Sequence, residues 1–467
     1  MPDSAEAALR KQLGDRILGP DGDAYGEAML GIFFSDAALS HPCCIVQPRS
    51  AADVAVTLQT ATAEGVPVTV RGGGLSASCA ADGAVLLDLS ANMNTGELIG
   101  DMAKIGGGAT MGTLLATLDP IGGTVPIGIA TVPGFGLATR GGIGYLTRSR
   151  GLTVDFLEAA EIVVPSGDVL HLSDSSTGEE ADLWWAVRGC APHFGIVTSA
   201  TYRSFPRPSV FVHRLVLPLE AAAAYFELAP SLPRETSISA VLSRPLGAAG
   251  EPVLFLITVY AGDDADGIEQ ARASARQVAD GSPPLFEAEG TYPYMLGMPE
   301  MAVPGLDGTE PPAVSYPVPG ESRLYLFSKC PFLRPTLDVA AAEGLAECIR
   351  LAPTPLCRID LQHTGGALAD VPVDDTSFWG RDAEWNNPLN AMWIDNLVDR
   401  ESCMAWARET VAVLEPYSAG YYSVEVRPGL PETRREVELS FGEHLPRLRE
   451  LWMKWDPDEL LVRNFPL

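Results

Sequence analysis

The sequence lacks any long apolar run and is poor in positive charge. Its 467 residues include 32 Lys and Arg against 60 Asp and Glu, which gives a formal net charge of −28. No stretch approaches the roughly 18 consecutive apolar residues of a membrane span, so none is predicted. Because an acidic surface repels phosphate backbones and anionic lipid headgroups, the charge argues against nucleic-acid and membrane partners. We expect a small-molecule substrate as the partner.

Clusters of metal ligands are lacking too. The eight cysteines are scattered without C-x-x-C spacing, and the six histidines are isolated without an H-E-x-x-H motif. This pattern excludes a zinc ribbon and a disulfide framework, and we predict no metal site. The first 20 residues carry early acidic residues and no apolar core of signal-peptide length. We therefore expect a cytoplasmic protein, either a monomer or a homodimer.

The chain does have enough apolar residues for more than one hydrophobic core. At 467 residues and 46% hydrophobic content, it is predicted to fold into two or three compact units. The first 40 residues have helical spacing, and a short apolar strand follows at Cys44–Val46. A helix is predicted to begin after Ser50 and to end near Gly65, before a second strand at 66–70.

Three glycine-rich segments follow predicted strands. They are Arg71-Gly72-Gly73-Gly74, residues 106–110 (GGGAT) and residues 134–144 (GFGLATRGGIG). Backbone amides without Cβ atoms form a surface on which a pyrophosphate can lie, although a tight turn explains any single segment equally well. None fits G-x-G-x-x-G or G-x-x-x-x-G-K-[ST]. Their repetition within about 75 residues indicates an extended cleft for a long phosphate-bearing ligand.

Several motifs in register carry a family resemblance. The N-terminal ones are 70–76 (VRGGGLS), 136–148 (GLATRGGIGYLTR) and 182–198 (DLWWAVRGCAPHFGIVT), and the later ones are 361–367 (LQHTGGA), 376–382 (TSFWGRD) and 455–464 (WDPDELLVRN). In order and spacing they resemble the PCMH-type FAD-binding domain of the vanillyl-alcohol oxidase superfamily. More narrowly, they resemble the berberine bridge enzyme-like flavoproteins.

The resemblance implies an α+β fold of two domains. Residues 1–205 and the C-terminal return 425–467 would form the FAD-binding domain, and residues 206–424 would form an inserted substrate domain with an antiparallel sheet covered by helices. It also implies a set of cofactor-binding positions, which are Arg71, Gly72, Gly73, Gly74, Leu75, Ser76, Gly134, Gly136, Thr139, Arg140, Gly141, Gly142, Gly144, Tyr145, Asp155, Gly195, Ile196, Val197 and Asn464.

The sequence departs from the family at both positions that tether the flavin. Leu75 stands where relatives have a histidine bonded to the flavin, and Ile129 lies at or next to the position of the second anchor, a cysteine. Neither side chain can form such a bond, so we expect non-covalent FAD. Arg140 replaces a glycine near the cofactor. Its guanidinium could bind a phosphate or an acidic substrate, or its bulk could obstruct the usual flavin position.

The tyrosine base of the family oxidases is also missing, because the matching residue is Val424. By strand alternation Tyr422 shares the face of Val424, which makes it the favoured substitute by direction. Structural roles remain open for every candidate base. The candidates are Tyr422, Tyr421, His363, Gln362 and Glu425.

Three functions follow from these observations. The first is an FAD-dependent oxidoreductase or oxidase acting on a small or natural-product substrate in secondary metabolism. The second is a redox-neutral enzyme on the same fold, catalysing a cyclisation, cycloaddition or elimination with the flavin structural or lost. The third is a non-catalytic binding protein. In an acidic protein, Arg71 and Arg140 would have to offset the overall charge around an untethered dianionic cofactor.

Overall fold

The N-terminal unit is built on a small, mostly parallel sheet. The computed structural model describes residues 2–245, 250–279, 281, 283–311, 323–394, 400–462, 465 and 467. The sheet has the order β1-β2-β4-β3, with β1 antiparallel to β2 and the other pairs parallel. Its elements are α1 (Pro2–Leu13), β1 (Ile17–Leu18), α2 (Asp23–Leu30), α3 (Ser35–Ala38), β2 (Cys44–Val46), α4 (Ala51–Glu64), β3 (Val68–Arg71) and β4 (Val85–Asp88).

The helix predicted after Ser50 is confirmed as α4. The Ser50 hydroxyl accepts a hydrogen bond from the Asp53 amide at 3.3 Å, which satisfies one of the free N–H groups of the first turn. At the other end Gly65 has φ +64°, a left-handed conformation that glycine adopts without steric cost. Local capping signals therefore set both ends of this helix.

A five-stranded antiparallel sheet follows, with the order β5-β6-β10-β8-β9. The two-stranded pair β7 and β11 lies beside it. The elements of this region are β5 (Gly96–Ile99), β6 (Met102–Gly106), α5 (Met111–Leu118), β7 (Gly123–Thr124), α6 (Phe135–Ala138), α7 (Thr147–Arg150), β8 (Leu157–Val163), β9 (Val169–Ser173), α8 (Glu179–Cys190), β10 (Ile196–Arg203) and β11 (Phe205–Pro206).

The third sheet is large and antiparallel. Its main path is β15-β12-β14-β13-β18-β19-β17-β21, and β20 pairs with both β16 and β18. Its elements are β12 (Ser209–Pro218), α9 (Ala222–Leu228), β13 (Thr236–Ser243), β14 (Val253–Tyr260), α10 (Ala265–Val278), β15 (Phe286–Pro293), β16 (Leu324–Lys329), β17 (Pro331–Leu333), α11 (Val339–Arg350), β18 (Arg358–His363), β19 (Trp385–Asn386), β20 (Leu389–Ile394), α12 (Arg400–Leu414) and β21 (Ser418–Tyr421).

Helices α9 to α12 pack on one face of this sheet. Leu256 of β14, Leu345 of α11 and Ala407 of α12 belong to one buried apolar cluster. Apolar side chains on the opposite face, such as Val212 and Ile257, join the core of the five-stranded region. The predicted mixed fold, with an antiparallel sheet covered by helices, is confirmed.

The chain then returns to the first sheet through α13 (Thr433–Phe441) and α14 (Leu445–Trp455). The Val68 amide donates to the Leu460 carbonyl at 2.9 Å, and the Val462 amide donates to the Val68 carbonyl at 2.8 Å. These bonds attach the C-terminal segment to β3, directly before the first glycine-rich loop. Among the helices of the described residues, none is long and apolar enough to cross a membrane.

Candidate functional site

The three glycine-rich loops meet around one cavity of about 430 Å³. Its walls also include residues from the loop before β10, from β16 and from the turn after β21. The lining residues are Phe33, Phe34, Val68, Val70, Gly72, Gly73, Gly74, Leu75, Ser76, Ser78, Cys79, Leu89, Gly107, Ala130, Val132, Pro133, Gly134, Phe135, Gly136, Leu137, Thr139, Arg140, Ala191, Pro192, Gly195, Ile196, Val197, Leu326, Val424, Glu425, Leu461 and Val462.

Backbone approaches backbone where the first and third glycine loops meet. A Cβ atom on Gly73 would lie 2.7 Å from the Gly134 nitrogen, and a Cβ on Gly134 would lie 2.7 Å from the Gly73 nitrogen. Such distances leave no room for a side chain on either residue. Glycine at both positions therefore lets two loops form one continuous wall of peptide groups, which fits an extended phosphate-bearing cofactor such as FAD.

Most residues expected at the cofactor do line this cavity. They are Gly72, Gly73, Gly74, Leu75, Ser76, Gly134, Gly136, Thr139, Arg140, Gly195, Ile196 and Val197. The lining does not include Arg71, Gly141, Gly142, Gly144, Tyr145 or Asp155. Asn464 lies outside the described residues. Leu75, at the expected tether position, is half-buried and lines the cavity. Its aliphatic side chain contains no nucleophilic atom.

Arg71 lies outside the cavity lining and attaches the first glycine-rich loop to the end of α2. Its guanidinium donates to the carbonyls of Ala28 at 2.7 Å and Gly31 at 2.6 Å, at the end of α2. It also lies 3.6 Å from the carboxylate of Asp88. Because these contacts pair the Arg71 guanidinium with protein groups, the expected role of offsetting the negative charge of the cofactor depends mainly on Arg140.

Arg140 is 5% exposed and lies in the cavity wall. Burial lowers the pKa of its guanidinium, while the neighbouring Cys190, Tyr422 and Glu425 act in the opposite direction. Its guanidinium carbon lies 6.0 Å from the centre of the Phe465 ring. A desolvated cation in this position can donate strong hydrogen bonds to an anionic oxygen, which is one of the two roles that the sequence suggests.

The residues after β21 do not alternate as a strand would. The strand ends at Tyr421, and Ser423–Glu425 form one turn of 3₁₀ helix. As a result Val424 and Glu425, although adjacent in sequence, both line the cavity. The predicted alternation of side chains is wrong here, because the chain is not extended through Glu425.

Tyr422, the base that strand alternation favours, is a buried packing residue. Its hydroxyl accepts a hydrogen bond from the Gly142 amide at 3.0 Å, and its ring packs against Phe332 and Phe378. Burial raises the pKa of its phenol above the ordinary value. Tyr421 is also buried, and burial raises its pKa well above the ordinary value. Neither tyrosine lines the cavity.

His363 and Gln362 lie on β18, away from the cavity lining. The His363 Nδ1 accepts from the Ile238 amide at 3.1 Å, which leaves Nε2 to donate to Glu384 at 2.9 Å. Burial lowers the pKa of His363 to about 4, so the neutral form is favoured. The Gln362 side-chain oxygen accepts from Asn386 at 2.7 Å. Both residues are held by structural partners.

Asp155 is paired within the protein rather than placed in the cavity. Its carboxylate accepts hydrogen bonds from the Leu152 amide and from the guanidinium of Arg381. Gly142 and Gly144 are constrained by packing, since a Cβ on Gly144 would overlap the Ile127 carbonyl. The segments that resemble the family therefore contain residues that stabilise the fold as well as residues that line the cavity.

Sequence reasoning missed the aromatic part of the cavity wall. Phe33 and Phe34 precede α3 and line the cavity, and the Phe33 amide donates to the Gly74 carbonyl at 3.1 Å. Leu326 of β16 lines it from the large sheet. An aromatic pair in a helical N-terminal segment carries no motif, so only the tertiary fold brings it to the glycine loops.

Comparison with known proteins supports the cofactor assignment. Residues 42–173 match the family described as FAD binding domain. An FAD-linked oxidoreductase of Dictyostelium discoideum is 26% identical over 430 residues, which cover 91% of this chain and 88% of that protein. The (R)-6-hydroxynicotine oxidase of Paenarthrobacter nicotinovorans is 32% identical over 253 residues, covering 53% of this chain and 51% of that protein.

Solved structures share the whole fold. The Physcomitrella patens BBE-like 1 protein aligns with a TM-score of 0.82 at 20% identity over 99% of both chains. The xylooligosaccharide oxidase of Myceliophthora thermophila C1 aligns with a TM-score of 0.80 at 20% identity, over 99% of this chain and 98% of that one. At these identities the likeness concerns the fold.

Proposed function

The chain has an FAD-binding domain and the fold of the berberine bridge enzyme-like, PCMH-type FAD-binding proteins, and on that premise we propose that it is an FAD-dependent oxidoreductase with non-covalent flavin. We propose further that it oxidises a small or natural-product substrate in secondary metabolism. The relatives named for hydroxynicotine and for xylooligosaccharide differ widely, so their names do not choose the substrate.

The observation that carries the non-covalent proposal is the position of Leu75. This residue lines the cavity next to Gly72–Gly74, and its aliphatic side chain offers no atom that can bond to a flavin. Ile129 does not line the cavity, and its neighbours Ala130 and Val132, which do, are also aliphatic. Cys79 is the one thiol of the described lining, and burial raises its pKa, so it is a protonated, weak nucleophile. FAD would therefore be held by the peptide groups of the glycine loops and by Arg140. When bound, FAD supplies an acceptor for hydride from the substrate.

We also propose the division into an FAD-binding domain, 1–205 with 425–467, and a substrate domain, 206–424. The bonds between Val68 and the segment at Leu460 and Val462 support the return of the C-terminus to the first unit. The cavity lies where the two parts meet, since Leu326 comes from the large sheet and Gly73 from the first unit.

A redox-neutral reaction on the same fold is the second candidate. The observation that favours it is Val424 in the cavity wall, because valine cannot accept a proton from a substrate hydroxyl. The aliphatic and aromatic walls would then orient a reactive substrate in a dry cavity, with the flavin structural or lost.

Acid precipitation of the purified protein tests the mode of flavin attachment. We expect a yellow protein whose colour passes entirely into the supernatant, because no covalent bond retains the flavin. Colour that stays in the precipitate would contradict the non-covalent proposal. A colourless protein that does not respond to added FAD would contradict the flavoprotein proposal as a whole.

Anaerobic mixing with candidate substrates separates the two reactions. An oxidoreductase bleaches the flavin absorption in proportion to the product formed, because the substrate electrons remain on the cofactor. Product formation with unchanged flavin colour would instead support the redox-neutral enzyme.

A further inference from the structure

Charged side chains are scarce in the cavity wall. Among the described lining residues, the side chains of Arg140 and Glu425 are the only ones of the Asp, Glu, Lys and Arg types. Glu425 is half-buried and lies on the same 3₁₀ turn as Val424. It is therefore the one carboxylate of the described wall that a bound molecule can reach.

The wall beside Glu425 is apolar. Val424 precedes it in sequence, and Arg427, whose charge acts on Glu425, contacts two further lining residues. The Arg427 guanidinium donates to the Leu326 carbonyl at 2.9 Å and lies 5.4 Å from the centre of the Phe34 ring. A substrate that reaches Glu425 thus meets aliphatic and aromatic side chains around a single acid.

Opposing effects act on the proton affinity of Glu425. Burial raises the pKa of its carboxyl, and the nearby cations of Arg427, Arg140 and Lys329 lower it. Burial dominates, so the net pKa is above the ordinary value. A carboxylate with raised proton affinity is a better proton acceptor near neutral pH than an exposed glutamate.

We infer that Glu425 is the proton acceptor of the cavity and that its substrates are apolar alcohols. This inference rests on the proposed flavin-dependent oxidation. Glu425 is preferred to Tyr422 because Glu425 lines the cavity, whereas Tyr422 lies outside the described lining and its hydroxyl accepts a hydrogen bond from the Gly142 amide.

The step balances with the flavin as the oxidant. With FAD bound, the substrate O–H bond would break and its proton would pass to a carboxylate oxygen of Glu425, while the adjacent C–H bond would break and its electron pair would leave as hydride to the flavin. A C=O bond would form on the substrate.

The composition of the wall selects against sugars. An oligosaccharide would bring many hydroxyl groups against Phe34, Leu326 and Val424, whose side chains offer no hydrogen-bond partner. An alcohol with one hydroxyl on an aromatic or aliphatic body loses none, because that hydroxyl meets Glu425 and the body meets the apolar wall.

Infrared difference spectroscopy of the holoprotein tests the ionisation of Glu425 without turnover. Wild-type protein and Glu425→Gln are titrated from acid to neutral pH, and Glu450→Gln serves as the matched control because Glu450 is exposed. The buried carboxyls of Asp360 and Glu436 also have raised pKa values, so we expect the protonated-carboxyl absorption that persists above the ordinary glutamate range near pH 4.3 to be smaller in Glu425→Gln than in the wild type and the control. A spectrum of Glu425→Gln equal to that of the wild type would overturn the inference.

Anaerobic flavin reduction tests the reaction and the substrate class. The probes are benzyl alcohol, cinnamyl alcohol and geraniol, with xylobiose as the polar comparison. We expect reduction by at least one alcohol and not by xylobiose, a rate about 10²–10⁴-fold lower in Glu425→Gln with flavin content unchanged, and partial recovery in Glu425→Asp.

The outcomes separate the two proposals. Reduction by xylobiose alone overturns the substrate class. Flavin reduction at the wild-type rate in Glu425→Gln overturns the role of Glu425 and leaves the flavin-dependent oxidation standing. Absence of flavin reduction with all three alcohols also overturns the substrate class, whereas a protein that holds no flavin overturns the oxidation on which the inference rests.

Discussion

The carboxylate of Asp155 and the guanidinium of Arg381 form a bidentate ion pair across the interface between the five-stranded region and the loop before β19. The Oδ1–Nη2 distance is 2.7 Å and the Oδ2–Nη1 distance is 2.9 Å, and both side chains are almost fully buried. Arg381 also donates to the Thr376 hydroxyl at 3.0 Å. The pair fixes the 376–382 segment against the segment that precedes β8.

Asp155→Asn is expected to destabilise the protein by about 3–5 kcal/mol, because it leaves the buried Arg381 charge without its counter-ion. Urea denaturation measures the change in the free energy of unfolding. Asp370→Asn is the control, since the Arg234–Asp370 pair is exposed and is expected to contribute less than about 1 kcal/mol. Equal effects of the two substitutions would show that Asp155 does not depend on its buried partner.

His363 makes the stability of the protein depend on pH. The ordinary histidine pKa is about 6.5, and burial lowers that of His363 to about 4. Between these values the unfolded chain binds more protons than the folded one, so stability decreases as the pH falls through this window. The expected contribution to the slope is about 1.4 kcal/mol per pH unit.

Denaturation between pH 4 and pH 7 measures this slope. His363→Gln is expected to lower the stability at neutral pH, because it removes the bonds to Ile238 and Glu384, and to flatten the pH dependence. His171→Gln should keep the wild-type slope, since the His171 side chain is 76% exposed. An unchanged slope in His363→Gln would assign the pH dependence to other groups.

The glycine-rich parts of the cavity wall could be located from the sequence, whereas the proposed proton acceptor could not be singled out among the candidate bases. The loops at Gly72–Gly74 and Gly134 could be located because glycine in those positions meets a backbone requirement that a motif records. Asp155 was expected at the cofactor from the family resemblance, but its partner Arg381 is 226 residues away in sequence, and no local pattern shows that distant pairing.

Tyr422 remains an untested candidate base, but the strand alternation that favoured it does not hold beyond Tyr421. Strand alternation gives the direction of side chains only while the chain stays extended, and β21 ends at Tyr421. The following 3₁₀ turn brings Val424 and Glu425 to the same cavity. The sequence did not predict that Phe33 and Phe34 line the cavity, because their proximity to Gly74 depends on tertiary structure.

Gly73→Ala is expected to weaken flavin binding. The new Cβ would lie 2.7 Å from the Gly134 nitrogen and 3.1 Å from the Val132 oxygen, both backbone atoms that cannot rotate away. Relief of this overlap requires the two loops to separate, at a cost of about 1–3 kcal/mol. We expect a dissociation constant for FAD about 5- to 150-fold higher than in the wild type, measured by quenching of flavin fluorescence.

Gly26→Ala is the matched control for this experiment. Gly26 lies inside α2 and outside the cavity lining, and a Cβ there meets no atom within 4 Å. Its affinity for FAD should stay close to that of the wild type, and its stability should not decrease. If both variants lose flavin equally, the contact between Gly73 and Gly134 is not what shapes the cofactor site.

Tyr422→Phe separates a packing role from a catalytic one. Removing the hydroxyl leaves the buried Gly142 amide without its acceptor, so we expect a loss of about 1–3 kcal/mol in the free energy of unfolding. The rate of flavin reduction should remain near that of the wild type, because the phenol does not line the cavity. Tyr292→Phe, at a half-buried tyrosine outside the cavity lining, controls for the loss of a hydroxyl as such. A reduction rate that falls about 10²-fold or more in a folded, flavin-bound Tyr422→Phe protein would instead make Tyr422 the base and leave Glu425 with an electrostatic role.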